Sequence, residues 1–137
     1  MNALFKEGLR IMPISFMLFP RTAIKDFELV GKKIKKGDYV NLSLAVHNDK
    51  KFEGNDTFNP ERWLEGMDDK LARGEFIPFY FGKRQCIGKY LAEILVKLVV
   101  SRFLSNFEME LPDDFERKKI IEFGIGFEKI SINLKSL

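Results

Sequence analysis

The chain has 137 residues, of which 45% are hydrophobic and 31% charged, a composition typical of an ordered globular domain or of one piece of a larger domain. A net charge of +3 is too small to indicate a nucleic acid or a membrane surface as a partner. With one cysteine and one histidine, the sequence excludes a disulfide framework and a zinc site built from paired cysteines.

The first predicted elements are a short helix and a set of short strands. Residues 1–12 predict the helix, since their apolar positions share one face and Pro13 ends the pattern. From Asp26 the apolar period changes to two, with turns at Gly31 and Gly37. A half-buried strand is predicted where apolar side chains alternate with small and polar ones, at Val40, Leu42, Leu44 and Val46.

The second half of the chain contains the longest predicted helix, from Gly88 to Phe107. Residues 58–81 before it predict an irregular, aromatic-rich connection, because prolines and glycines interrupt them. The polar residues of the helix form one narrow stripe, namely Lys89, Glu93, Lys97 and Ser101. Nearly all its other positions are apolar, so it requires burial on several sides. The other predicted elements are too few to cover it, which predicts that the chain contributes to a larger core.

The remaining patterns concern the tail and the membrane. Apolar residues alternate from Ile121 to Phe127 and again from Ile130 to Leu134, which predicts a hairpin. No stretch is long and apolar enough for a membrane span, and the first residues lack the pattern of a signal peptide.

The segment that ends at Cys86 and Gly88 carries the strongest functional signal. Gly82 and Gly88 permit tight turns and a close backbone approach to a flat cofactor. Because Gly88 opens the long helix, its first N–H groups are expected to point at the Cys86 sulfur and stabilise a negative charge there.

Neighbouring side chains support the same interpretation. Phe79 and Phe81 are expected to shield the sulfur from water, and Arg84 is placed to clamp a carboxylate. The residues of this segment, taken alone, leave open a buried, inert cysteine in front of a packed helix.

The pattern Phe-x-x-Gly-x-Arg-x-Cys-x-Gly, found at Phe79, Gly82, Arg84, Cys86 and Gly88, resembles the cysteine-ligand loop of the cytochrome P450 family. The resemblance implies that the Cys86 sulfur is the axial ligand of the iron of haem b. It also implies that Arg21 and Arg84 bind the haem propionates. The other implied haem contacts are Phe79, Gly82, Ile87 and Gly88.

Two further motifs stand in the order of that family. Glu7-Gly8-Leu9-Arg10 is similar to its Glu-x-x-Arg pair, and Pro60-Glu61-Arg62-Trp63 is similar to its Pro-Glu-Arg-aromatic segment. The resemblance implies a structural network of Glu7, Arg10 and Arg62 that supports the cysteine loop. Without it, Glu7 and Arg10 would be an ordinary surface pair three residues apart.

For the fold, the resemblance implies an α+β arrangement, the C-terminal part of the mainly helical cytochrome P450 fold. Short antiparallel strands, an irregular meander, the cysteine loop and one long buried helix are expected. Residues 1–137 would be the haem-binding C-terminal part of a single domain. The family's central helix, with the acid–alcohol pair that delivers protons to oxygen, should precede Glu7 and is expected to be absent, because only six residues stand there.

For function, the resemblance implies a haem-thiolate monooxygenase that, in the complete protein, oxidises an apolar small molecule with O2. Candidate substrate contacts are Ile14, Phe16, Met17 and Ile125. Electrons would come from a redox partner such as a flavoprotein reductase, for which Lys83, Arg84 and Lys89 offer a basic face. A nucleic-acid partner is not expected, and the family suggests the cytosolic face of the endoplasmic reticulum membrane. The alternatives are an inactive truncated product and an unrelated interaction module with a buried cysteine.

Overall fold

The computed structural model describes residues 1–15, 17, 19–43, 52, 54, 56–67, 74–113, 119–121, 125–127 and 130–137, with backbone alone at 119–121 and 125–127. Within this part of the chain there are three α-helices: α1 (Asn2–Ile11), α2 (Glu61–Leu64) and α3 (Lys89–Leu104). Eight short strands accompany them, and they pair into two-stranded antiparallel ribbons.

Helix α1 follows the sequence expectation closely. It spans Asn2–Ile11 and ends before Pro13, which cannot continue a helix. Its buried side chains combine apolar and charged residues: Ala3, Glu7, Leu9 and Arg10. A buried ion pair on an otherwise apolar face means that this helix is held by charge compensation as well as by packing.

The strands before residue 43 form two ribbons. Strand β1 (Arg21–Thr22) pairs with β4 (Tyr39–Val40), and between them β2 (Phe27–Leu29) pairs with β3 (Lys32–Ile34) as a hairpin. The predicted turns at Gly31 and Gly37 are present, and both glycines have positive φ.

The strand expected from Val40 to Val46 is shorter in the described part of the chain. Strand β4 ends at Val40, which is half-buried, while Leu42 is exposed. Ser43 forms an isolated bridge with Met17. Leu44 and Val46 lie outside the described residues.

The C-terminal pairing differs from the hairpin predicted between residues 121–127 and 130–134. Strand β6 (Lys119–Ile121), which ends where the first of those two segments begins, pairs with β7 (Ile125–Phe127) within that segment. The last strand, β8 (Asn133–Ser136), instead pairs with β5 (Phe107–Glu110), directly after α3. The alternation of apolar and polar residues identifies strands but not their pairing partners. The hairpin predicted for residues 121–134 was wrong for this reason.

Helix α3 spans Lys89–Leu104, as expected for the longest element, but none of its residues is buried. As expected, the other described elements are too few to cover its apolar sides. The polar stripe is the less exposed side of the helix. Its residues Glu93 and Lys97 are half-buried and form an ion pair. They lie towards α1, since the Lys97 ammonium is 5.8 Å from the Phe5 ring centre. Leu91, Ile94 and Leu98 are exposed.

The buried apolar cluster lies between α1 and α2. Ala3, Phe52 and Trp63 form it, with Met67 and Phe76 packed against it. Residues 58–81, expected to be irregular, thus contain a short helix whose tryptophan is central to the core. None of the described helices has the length and apolar character that a membrane crossing requires.

Candidate functional site

The Glu7 carboxylate lies at the centre of a buried charge network. Glu7 and Arg10 are fully buried and Arg62 nearly so. The Arg10 guanidinium donates two hydrogen bonds to Glu7, from Nε to Oε2 at 3.0 Å and from Nη2 to Oε1 at 2.8 Å. Arg62 Nε donates to Oε1 at 3.2 Å from the other side. The structure thus brings together the three residues expected to form the network.

Two further donors complete the carboxylate's surroundings. The backbone N–H of Asn59 donates to Glu7 Oε1 at 2.9 Å, and the indole Nε1 of Trp63 donates to Oε2 at 2.8 Å. Trp63 was not among the expected site residues, although a signal was present. It is the chain's one tryptophan, and a buried indole N–H needs an acceptor.

These contacts tie α1 to the segment around α2. Besides its bonds to Glu7, the Arg10 guanidinium donates to the Thr57 carbonyl at 3.1 Å. The Arg10 and Arg62 guanidiniums also lie 5.2 and 6.0 Å from the Phe52 ring centre. Cations over an aromatic face in a desolvated site add to the stabilisation of the network.

The pKa of Glu7 reflects this balance. Burial by itself raises that pKa, but hydrogen bonds from Arg10, the Asn59 amide and Trp63, with the Arg10 charge, outweigh it and lower the pKa from 4.5 to about 2. Glu7 is therefore ionised throughout the physiological range. Its role is structural compensation, since a carboxylate held this way is a poor proton carrier at neutral pH.

The cysteine loop is connected to α1 through one aromatic pair. The Phe5 and Phe79 rings are stacked, with centres 6.1 Å apart and an angle of 20° between their planes. The Phe79 carbonyl accepts a hydrogen bond from the Cys86 N–H at 2.8 Å, which closes the loop. Gly82, at φ 69°, opens a single 3₁₀ turn over Gly82–Arg84, a conformation that favours glycine.

The Cys86 thiol is free and exposed, and Ile87 beside it is fully exposed. This contradicts the alternative of a buried cysteine packed in a core. It also corrects the expectation that two phenylalanines shield the sulfur, since the Phe79 ring lies against α1 and Phe81 is half exposed.

The start of α3 also differs in detail from the expectation. The Lys89 N–H donates to the Cys86 carbonyl at 3.3 Å and not to the sulfur. Gly88 lies close to the sulfur, because a Cβ built on it would be 3.8 Å from Cys86 Sγ. A side chain at this position would occupy space beside the thiol.

Arg21 and Arg84, expected to act on the same ligand, line one cavity of about 280 Å³. Tyr80 contributes to its wall, with the Arg21 guanidinium 5.5 Å from the ring centre and the tyrosine hydroxyl donating to the Phe19 carbonyl at 3.1 Å. Lys83 is a third cation of the lining, and none of the described residues that line the cavity is acidic. Such a cavity favours a ligand that carries its own negative charge.

Two of the four expected substrate contacts have side chains in the described part of the chain. Ile14 and Met17 are exposed, and Met17 pairs with Ser43. Ile125 belongs to β7, of which the backbone alone is described. Phe16 lies outside the described residues.

The similarity to known proteins extends over all the motifs described above. The family model described as cytochrome P450 matches residues 1–135. The chain is 38% identical over 118 residues to the steroid 17-alpha-hydroxylase/17,20 lyase of Ovis aries, covering 83% of this chain and 23% of that protein. It is 40% identical over 116 residues to cytochrome P450 83A1 of Arabidopsis thaliana, covering 82% and 23%. The chain spans about a quarter of the length of these relatives.

Solved structures show the same likeness. A zebrafish cytochrome P450 with progesterone superposes with a TM-score of 0.83 at 31% identity, over 99% of this chain and 31% of that one. The retinoic acid-bound cyanobacterial CYP120A1 superposes with a TM-score of 0.92 over 99% of this chain and 32% of that one, at 24% identity, a likeness of fold alone.

The lowered pKa of Glu7 predicts a specific loss of stability in acid. A carboxyl whose folded pKa is below its unfolded value stabilises the fold above pH 4.5, and this contribution disappears as the pH falls towards 2. A shift of this size corresponds to on the order of 3 kcal/mol. Urea unfolding between pH 7 and pH 2 measures it. Glu7→Gln should remove most of this dependence of the unfolding free energy on pH. Glu61→Gln, which changes an exposed carboxyl next to Arg62, should keep it.

The Trp63 hydrogen bond predicts a separable effect of the indole N–H. Trp63→Phe keeps a ring in the core but removes the donor, so the pKa of Glu7 should rise and the unfolding free energy should fall by about 1–3 kcal/mol. Phe76→Leu serves as the control, because it disturbs the ring 4.7 Å from Trp63 without touching the hydrogen bond. The control should lower stability and leave the acid midpoint in place. Equal acid midpoints in the wild type, Trp63→Phe and Phe76→Leu would show that the indole donor does not affect the pKa of Glu7.

Proposed function

Because the chain belongs to the cytochrome P450 family, we propose that it forms the haem-binding side of a haem-thiolate monooxygenase, with the Cys86 sulfur as axial ligand of the iron. The observation that carries the proposal is the exposed Cys86 thiol on a loop anchored at Phe79. In this proposal, residues 1–137 are part of one domain. The family's cofactor is haem b, iron protoporphyrin IX.

The donors present fit this cofactor. A haem offers an iron for one sulfur and two propionates for two cations. The chain supplies a free exposed thiol at Cys86, and two residues earlier Arg84 shares with Arg21 a cavity whose described lining lacks an acid. Gly82, Ile87 and Gly88 are assigned to the surface of the loop beside the cofactor. The small Gly88 leaves space next to the sulfur.

Each part of the chain then has a defined task. The Glu7 network holds α1, and α1 holds the loop through the Phe5–Phe79 stack. The hydrogen bond from the Cys86 N–H to the Phe79 carbonyl holds the backbone of Cys86 against the start of the loop. A thiolate ligand must be held within tenths of an ångström, so the supporting contacts matter as much as the sulfur itself.

When bound, the haem supplies the chemistry that inserts one oxygen atom of O2 into an organic substrate, and a thiolate ligand favours cleavage of the O–O bond. We assign this activity to the complete protein and place an apolar molecule as substrate. The likeness to steroid 17-alpha-hydroxylase supports an apolar substrate class. Ile14, Phe16, Met17 and Ile125 remain the candidates for its contacts.

A redox partner and a location complete the proposal. Lys83, Arg84 and Lys89 are cationic residues on or next to the cysteine loop, and Lys83 and Arg84 are exposed. They form a basic surface suited to an acidic flavoprotein reductase. For the complete protein we propose the cytosolic face of the endoplasmic reticulum membrane on family likeness. An inactive truncated product is the competing function, and the experiments below separate the two.

The first experiment tests the sulfur ligand. The chain is mixed with haem b, reduced and exposed to carbon monoxide, and its absorption spectrum is recorded. We expect a thiolate-type band that disappears in Cys86→Ala and persists in Gln85→Ala. Gln85 is an exposed neighbour that donates a hydrogen bond from its backbone N–H, which the substitution keeps. Haem uptake with the same band in both variants would refute the ligand assignment. The absence of haem uptake by the wild-type chain would favour the inactive product.

The second experiment tests the two arginines. Arg21→Gln and Arg84→Gln should each weaken haem binding about tenfold, because each removes one charge-assisted pair with a propionate. The same variants should not weaken the binding of haem dimethyl ester, which has no free propionates. Lys83→Gln, a cation of the same cavity, is the matched control. Equal losses with haem and its ester would mean that the arginines do not bind the propionates.

A further inference from the structure

Tyr80 has a backbone conformation that is unusual for its residue type. It follows Phe79 directly, and its φ is 63°. This region crowds a Cβ, so a bulky residue in it is strained. The Tyr80 N–H donates to the Ile77 carbonyl at 3.0 Å, which closes a tight turn. A glycine would form the same turn without strain, so the contacts of the Tyr80 side chain must offset that cost.

The Tyr80 side chain contacts both the core and the segment that carries Arg21. Its ring packs against the buried Ile77. Its hydroxyl donates to the Phe19 carbonyl at 3.1 Å. The Arg21 guanidinium lies 5.5 Å from the ring centre, within the distance at which a cation is attracted to an aromatic face. The ring and the hydroxyl therefore hold one short segment, residues 19–21, at two points.

The side chain of Arg21 depends on this contact for its place at the cavity. The backbone of Arg21 belongs to β1 and pairs with Val40, but its long side chain is exposed. Within the described residues, the Tyr80 ring is the partner found for its guanidinium. A flexible arginine without a partner samples many conformers and loses more entropy when it binds a ligand. The ring thus lowers the entropic cost of using Arg21 as a ligand contact.

The charges of the cavity give the ring a second effect. Arg21, Lys83 and Arg84 line it together, and none of its described lining residues is acidic. Like charges this close repel one another, whereas the face of an aromatic ring carries a partial negative charge. The ring attracts the guanidinium without using its N–H donors. A carboxylate in its place would occupy the donors that an incoming anion requires.

We infer that Tyr80 is a positioning residue for the cofactor: its ring and hydroxyl hold Arg21 at the cavity so that the guanidinium meets a haem propionate. This role rests on the proposed function, since it takes the propionate as the ligand of Arg21. It also gives the strained backbone of Tyr80 a reason, because strain of this kind is retained where a ligand site requires the side chain. The competing explanation is a tyrosine that only packs against Ile77. The two differ in whether the effect of Tyr80 on haem binding requires Arg21.

The first test observes the Arg21 side chain in the full chain without haem. In NMR spectra, the ring current of Tyr80 should displace the Arg21 side-chain protons upfield. The displacement should disappear in Tyr80→Leu, which keeps an apolar side chain against Ile77, and persist in Tyr80→Phe. Tyr90→Leu is the matched control, because it removes a ring that lies 5.5 Å from the Lys89 ammonium and does not line this cavity. Unchanged Arg21 signals in Tyr80→Leu would overturn the inference.

The second test measures haem affinity by titration. Tyr80→Leu should weaken the binding of haem about fivefold, the size of one cation–aromatic contact, and leave the binding of haem dimethyl ester unchanged. In an Arg21→Gln background the same substitution should have no further effect, because the two residues act as one unit. Tyr80→Phe should restore most of the affinity, and Tyr90→Leu should bind haem like the wild type.

The outcomes separate the role of Tyr80 from the proposed function. Equal losses with haem and its ester, or the full loss in the Arg21→Gln background, would show that Tyr80 acts through packing alone. Haem binding that requires Arg21 but is the same in Tyr80→Leu and the wild type would overturn this inference and leave the proposed function in place. A wild-type chain that binds no haem would overturn both.

Discussion

The arrangement of the chain depends on one buried carboxylate. Glu7 is inaccessible to water, and a carboxylate in such a place is tolerated only when donors replace its hydration. The guanidiniums of Arg10 and Arg62, the Asn59 amide and the Trp63 indole supply them. Since these donors come from α1 and from the segment leading into α2, satisfying one charge fixes two parts of the chain that are more than 50 residues apart in sequence.

Few contacts connect the buried Glu7 carboxylate to the loop that carries the Cys86 sulfur. Helix α1 presents Phe5 to Phe79, and the Phe79 carbonyl holds the Cys86 N–H. The loop contributes its own rigidity through Gly82, whose positive φ opens the 3₁₀ turn. A change at Glu7 can therefore alter the cysteine loop without touching it. This connection gives Glu7, which is unsuited to proton transfer, a structural route to the cysteine loop.

The sequence predicts the charge network better than the strand pairing, because its motifs resemble those of a known family. Glu7 and Arg10 alone would be an ordinary surface pair. The resemblance adds Arg62, and the structure shows why three residues meet, since a buried carboxylate requires several donors. Alternating apolar residues restrict no partner, so the last strand was paired with the wrong segment and β5 was not foreseen. The role of Trp63 is not predicted by the motif, because the motif specifies an aromatic residue at this position and not the indole N–H that donates to Glu7. In α3 the polar stripe proved to be the side towards α1, since the Glu93–Lys97 pair satisfies itself beside Phe5.

Arginine serves two opposite purposes in this chain, and the difference lies in what each guanidinium faces. Arg10 and Arg62 face a carboxylate of the protein and are buried, so their charge is used within the fold. Arg21 and Arg84 are exposed and line a cavity whose other described residues include a lysine and no acid. Cations grouped without a protein anion repel one another, an arrangement that is unfavourable until an external anion enters. The buried arginines, Arg10 and Arg62, thus make the support rigid, while the exposed arginines leave positive charge available for an external anion. One of these, Arg84, stands two residues before the exposed Cys86.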